Sequence, residues 1–353
     1  MSAASSFAPV GAVVAVRKRL QRRYGLVVIG LALLSLAVAS LSMSIGDYPL
    51  PLADVLRSLL SPFTGNVDAA NDFIVLGVRL PRVMAGLLSG AAFGLSGIIF
   101  QTILRNPLAS PDIVGITTGA SAAAVLAIII FKWSGLGVSI MACGGAVLTA
   151  LLIYGLAWRD GVTPYRLVLI GIGMAALAGA VVSYLFTRAR IMEVQEALSW
   201  LTGSLNGSTF ENLSPLAIAL LVLAPLAALL SRSLRTLQMG DDAARALGTR
   251  VEFSRLGLVL VAVLLAAFAT AAVGPVSFVA FIAGPIARRL LGPSGNALLP
   301  AALVGGLVTN AADFVAQHML GRNQLPVGVV TGALGAVFLI YLLAAAHRSG
   351  RGG

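Results

Sequence analysis

The sequence is poor in almost everything that builds a soluble active site. Its 353 positions hold one cysteine, two histidines, two lysines and only 13 acidic residues. Cys143 lies alone in the apolar run 138–157, so it forms no internal disulfide and reads as a small packing residue. His318 and His347 have no cysteine near them in the chain, so no cluster with metal-ligand spacing can be drawn, and no metal site is expected. Neither Lys18 nor Lys132 follows a glycine, which excludes a phosphate-binding G-x-x-x-x-G-K-[ST] loop. An H-E-x-x-H helix, a G-x-S-x-G elbow and paired carboxylates inside an apolar run are missing as well. No catalytic residue is assigned.

Charge is the larger deficit. Charged residues make up 10% of the chain and apolar ones 58%, against roughly 25% charged in an ordinary soluble domain. One aqueous core cannot hide that much apolar surface, because the outside of a soluble fold needs polar cover. Lipid removes the requirement. The net charge of +11 does not indicate nucleic acid, since the basic residues stand singly or in small groups between apolar runs and build no basic stripe.

Ten apolar runs approach the about 20 residues needed to cross the hydrocarbon of a bilayer: 25–45, 82–104, 112–131, 136–157, 166–187, 213–231, 255–273, 277–291, 297–319 and 326–346. The first follows Arg17, Lys18, Arg19, Arg22 and Arg23 and contains Ala37-Val38-Ala39, which imitates a signal peptide with its cleavage site. It continues to Ile45 and nine more runs follow, so it is read as an uncleaved span. The eighth run is too short to cross unaided, which protein packing around it tolerates. The fold class expected is an all-α, polytopic membrane protein of about ten transmembrane helices. It forms one transmembrane domain over 25–346 between tails 1–24 and 347–353.

With the N-terminus in the cytoplasm, seventeen arginines and lysines fall in cytoplasmic segments and seven in external ones, the direction of the positive-inside bias. Two connecting segments are long enough for structure of their own: external 46–81, with an amphipathic stretch at 52–60, and cytoplasmic 232–254. Gly86/Gly90/Gly94, Gly115/Gly119 and Gly328/Gly332 have the four-residue spacing that lets membrane helices approach closely. Asp313 is the single acid well inside a predicted span. It reads either as a buried packing carboxylate or as an intramembrane functional group.

Four segments carry a resemblance. They are Arg79-Leu80-Pro81-Arg82 followed by Gln101-Thr102-Ile103-Leu104-Arg105-Asn106-Pro107-Leu108-Ala109-Ser110-Pro111; Met239-Gly240-Asp241-Asp242-Ala243-Ala244-Arg245-Ala246-Leu247-Gly248; Val273-Gly274-Pro275-Val276-Ser277-Phe278 running to Ile286-Ala287-Arg288-Arg289; and Gln324-Leu325-Pro326-Val327-Gly328. In this order and spacing the chain resembles the FecCD-like permeases of binding-protein-dependent ABC importers for iron-siderophore, haem and cobalamin, which also have ten helices.

The resemblance implies a transport subunit that is not itself an enzyme and binds no cofactor, with ATP and Mg held by partner ATPase subunits. It implies two such ATPases, a second permease (identical or paralogous), an extracytoplasmic binding protein, and residence in a bacterial cytoplasmic membrane with both termini inside. Ferric siderophores are the expected substrate, because such systems dominate the family, with cobalamin or haem as the alternative. It places ATPase coupling on Gly240, Asp241, Ala243, Ala244, Arg245, Ala246, Leu247 and Gly248. It places a cytoplasmic gate at the proline turns of Asn106, Leu108, Thr163 and Tyr165, and binding-protein docking on Arg79 and Arg82, with Arg322 standing for an arginine that some members carry where this chain has Gln317. Many members have Pro-His where this chain has Gly284-Pro285, so no histidine role carries over. The rival class is an ion-gradient-driven carrier, which needs a midplane ion site.

Overall fold

The computed structural model describes residues 10–65, 68–159, 161–292, 296–319 and 324–349. Among these, helix accounts for nearly all regular structure, and the only bridge of β type joins Trp158 to Val162. The helices are α1 (Val10–Ser44), α2 (Leu52–Thr64), α3 (Ala69–Asp72), α4 (Leu80–Ile103), α5 (Ile116–Ile129), α6 (Leu136–Ala157), α7 (Pro164–Arg188) and α8 (Ile191–Leu201). Then follow α9 (Phe210–Leu229), α10 (Ser231–Gln238), α11 (Asp241–Ala246), α12 (Val251–Val273), α13 (Val279–Leu291), α14 (Leu298–His318) and α15 (Val327–Ser349).

Every expected span contains a helix, and eight helical runs are long and apolar enough to cross a membrane. The other two, α5 with 14 residues and α13 with 13, reach only about 20 Å at 1.5 Å per residue. The shortness of α13 follows the eighth run. That of α5 does not follow the expected span 112–131, because Pro107, Pro111 and the left-handed Gly115 hold the chain in turns up to Ile116. At the other extreme α1 starts at Val10, inside what the sequence places in a tail. Its arginines extend the helix beyond the apolar part, and Arg23 Nε donates to the Leu290 carbonyl at 3.0 Å, a cation on the last turn of α13.

The segment 46–81 is helical too. It holds α2, then α3 and a π-helical turn, Phe73–Arg79, which leads straight into α4. Pro81 explains the wide turn: it has no N–H to donate and its ring crowds the carbonyl four residues back, while the Leu80 N–H reaches Val75.

Helix α4 is the axis of the bundle, packed on α12, α13 and α14 with most of its surface buried. Its glycine spacing works as expected. Gly90 lies against the Gly305 backbone and Gly305 against that of Gly90, so neither has room for a Cβ; Gly94 meets Ala301 and Gly97 meets Ala280 in the same way. Gly119 is closed over by Thr149 and Gly328 by Thr202, whereas Gly332 faces open space. Close backbone approach of this kind is what associates helices where lipid offers no hydrophobic contrast. Helix α7 is the opposite case, with only Leu167, Gly171 and Leu185 buried and open space at Gly173 and Gly179.

Candidate functional site

Two short helices, α10 and α11, form a ledge at the end of the bundle where α4 and α9 finish and α12 begins. Asp241 and Asp242 open α11 and Arg245 closes it, each complementing the helix dipole. The stop is a Schellman motif: Gly248, at φ 80°, donates to the Arg245 carbonyl at 2.9 Å, and the Thr249 N–H reaches Ala244 at 2.9 Å. Ala244 is fully buried under the ledge, while Leu247 at 61% exposure and Met239 at 68% project from it with Ala246. The outward surface is therefore Met239, Ala246 and Leu247, and Ala244 anchors it from below.

Beneath the ledge Asp241 joins two arginines, Arg105 and Arg255, to which the sequence reading gives no role. Asp241 uses both oxygens: Oδ1 accepts from Arg105 Nη2 at 2.6 Å and Oδ2 from Arg255 Nη2 at 2.8 Å. Partial burial pushes this carboxyl up, but the Arg255 hydrogen bond and the charges of both arginines outweigh it and hold it below the ordinary 3.8. The Arg255 side chain is 2% exposed. It donates through Nη1 to the Val162 carbonyl at 2.6 Å and to Glu252 Oε1 at 3.1 Å. Arg105 Nε donates to the Leu237 carbonyl at 3.0 Å, and the Arg105 backbone is left-handed at φ 50°. One signal in the sequence points here: Arg255 is a charge three residues after Glu252 at the start of an otherwise apolar helix.

The two proline turns lie on either side of this cluster. Arg105 immediately precedes Asn106, whose side chain accepts from the Leu108 N–H at 2.9 Å and shapes the first turn. Val162 immediately precedes Thr163, whose hydroxyl accepts from Arg166 Nε at 3.2 Å. Tyr165 is 75% exposed and Leu108 half-buried. The two turns share Asp241 and Arg255 through their neighbours rather than through a bond between Asn106 or Leu108 and Thr163 or Tyr165.

At the opposite end both arginines of Arg79-Leu80-Pro81-Arg82 turn inward. Arg79 donates to the carbonyls of Met43 (2.6 Å) and Tyr48, tying the end of α1 to the start of α4. Arg82 makes a two-pronged pair with Asp313, Nε to Oδ2 at 2.9 Å and Nη2 to Oδ1 at 3.0 Å. Gln317 Nε2 adds 2.6 Å to Asp313 Oδ2, and Gln324 accepts from Arg82 at 3.4 Å. Asp313 is thus the partner of Arg82 across α4 and α14. Arg322 lies outside the described residues. The same end holds a cavity of about 380 Å³ whose mixed lining includes Glu196, Ser199, Asn206 and Asn212 beside Ile128, Val138 and Trp200.

Comparison with known proteins places this architecture. The model of the FecCD transport family matches residues 29–345. The chain belongs to the FecCD transport family. It is 44% identical over 298 residues to the ferric enterobactin transport system permease FepG of Escherichia coli, covering 84% of this chain and 89% of that one. It is 40% identical to the achromobactin transport system permease CbrC of Dickeya dadantii (88% and 89% covered) and 34% identical to the cobalamin import system permease BtuC of Halobacterium salinarum (84% and 80%). Among solved structures, an inward-facing metal-chelate-type ABC transporter superposes with a TM-score of 0.79 at 28% identity, covering 90% of this chain and 98% of that one.

The FecCD frame gives meaning to Gly284-Pro285. Pro285 inside α13 has no N–H for the Phe281 carbonyl one turn back, and Gln101 Nε2 of α4 donates to that carbonyl at 3.1 Å instead. Gly284 provides the room, since a Cβ there would collide with Gln101 Oε1. Gly284, Pro285 and Gln101 form one packing unit in this FecCD member.

Proposed function

We propose that this chain is the membrane-spanning permease subunit of an ATP-driven importer for ferric siderophores, working with two ATPase subunits, a second permease and an external binding protein. The observation that carries the reading is the 44% identity to a ferric enterobactin permease across most of both chains. The ledge of Met239, Ala246 and Leu247 is the surface offered to the ATPase, and its end of the bundle is the cytoplasmic one, the side favoured by the arginine bias. ATP and Mg bind the partner, and both termini lie in the cytoplasm. The exposed, small-residue face of α7 suits close packing on the second permease. The turns at Asn106–Leu108 and Thr163–Tyr165 form the inner gate.

The outer end keeps the docking role for Arg79 and Arg82 in a modified form. Their guanidinium groups are engaged within the chain, so they shape the outer surface and contribute charge to its field rather than reaching out as free arms. An ion-gradient carrier is disfavoured because the intramembrane acid, Asp313, is saturated by Arg82 and Gln317. Uptake of radiolabelled ferric enterobactin, ferric achromobactin and cobalamin in cells with and without this chain tests the substrate class. Uptake of at least one ferric chelate that depends on the chain is expected. Chain-dependent cobalamin uptake without iron uptake overturns the siderophore assignment.

A further inference from the structure

We propose that Arg255, joined by Asp241, is the positioning residue that transmits displacement of α11 to both gate turns, an inference that rests on the permease reading above. The chain of contacts is short and continuous. Asp241 is the first residue of α11 and uses each carboxylate oxygen for a different arginine, at 2.6 and 2.8 Å. One of these, Arg105, leads directly into Asn106-Pro107-Leu108. The other, Arg255, holds the Val162 carbonyl at 2.6 Å, one residue before Thr163. A rigid shift of α11 therefore pulls on both turns at once, although they are far apart in sequence.

Three features suit this role better than simple anchoring. First, the guanidinium of Arg255 is a planar fork whose donors reach separate acceptors in a fixed relation, which an ammonium point charge does not reproduce. Its Nη1 serves Val162 and Glu252 while its Nη2 serves Asp241. Second, the fork is buried, with the side chain 2% exposed, so water does not screen the link, whereas its target Asp241 is 29% exposed and sits on the moving ledge. Third, Arg105 has a left-handed backbone that L residues avoid, and its side chain is committed to α10 through Leu237 and to α11 through Asp241. The conformation of the first turn is thus conditional on where the ledge sits. Such a link lets the ATPase state bias the gate only if the two arrangements of the cluster differ in energy.

The test uses the complete importer, reconstituted in vesicles with its second permease, ATPase and binding protein, measuring ATP hydrolysis and ferric-chelate uptake in the same sample. Arg255→Lys and Asp241→Asn are compared with the unaltered chain. Hydrolysis stimulated by the loaded binding protein is expected to stay within about twofold, while uptake per ATP falls at least about fivefold, the low end of coupling between sites. Asp241→Glu, which keeps the carboxylate, is expected to recover part of the ratio. Should Arg255→Lys fail to assemble, the isosteric and partly exposed Asp241→Asn decides alone. Parallel loss of hydrolysis and uptake, or an unchanged ratio, overturns the transmission role. Absence of ATP-driven uptake of ferric chelates and of cobalamin alike in the unaltered importer instead removes the permease reading, and this inference with it.

Discussion

Breaking the Arg82–Asp313 pair separates the two readings of Asp313. The Asp313 side chain is 6% exposed and that of Arg82 13%, so water replaces little of what either loses. Among the described residues, Asp313→Ala leaves the Arg82 guanidinium with only the 3.4 Å contact to Gln324. Removing one partner of a buried pair costs about 3–5 kcal/mol, and the residual exposure of Arg82 puts the expected loss near about 3 kcal/mol. Replacing both by apolar residues, Arg82→Leu with Asp313→Leu, is expected to cost less than about 1 kcal/mol, because no charge is then stranded. Reversible denaturant titration of the purified permease in mixed micelles measures both variants, and the single Arg82→Leu and Asp313→Leu variants close the double-mutant cycle that isolates the pair. A double variant as unstable as Asp313→Ala refutes the argument. A double variant that is stable but inactive in transport shows that the pair serves transport and not packing alone.

Other expectations follow from particular contacts. Gly90→Ala forces a methyl into the Gly305 backbone and is expected to cost about 1–3 kcal/mol in the same titration, whereas Gly332→Ala, facing open space, leaves the isolated chain unchanged. Gln101→Leu strands the Phe281 carbonyl that Pro285 cannot serve, at a cost of about 1–3 kcal/mol, and a loss below this range removes the compensation argument. Asp241 is held below its ordinary 3.8 in the folded chain, so its pairing stabilises fully above that value and is lost as pH falls beneath it. Protease nicking of segment 232–254 is therefore expected to stay constant from neutral pH down to about 4 and rise below; a rise already between pH 7 and 5 contradicts the assignment.

How much of this was legible beforehand depends on the range of the interaction. The ten apolar helices were readable because apolar run length is local, though not the shortness of α5, and the stop at Gly248 because a left-handed cap follows from one residue. The tight seam along α4 was announced by Gly86, Gly90 and Gly94, though not its partner, α14. The early start of α1 was hidden because Arg17–Arg23 look like a tail, yet nothing in them breaks a helix. The pairing of Arg82 with Asp313 spans 231 positions, and the Arg105–Asp241–Arg255 cluster joins three separate segments. One chain's spacing does not encode such partners. That Arg79 and Arg82 bond within the chain was not legible, since a charge at a helix start gives no direction.

The most direct test of the account is accumulation of iron-55 as a ferric siderophore in sealed vesicles containing this permease, the second permease, the ATPase and the binding protein. The account predicts uptake that requires ATP, survives collapse of the proton gradient and disappears when the ATPase is inactivated. Uptake that persists without the ATPase and stops with the proton gradient contradicts it.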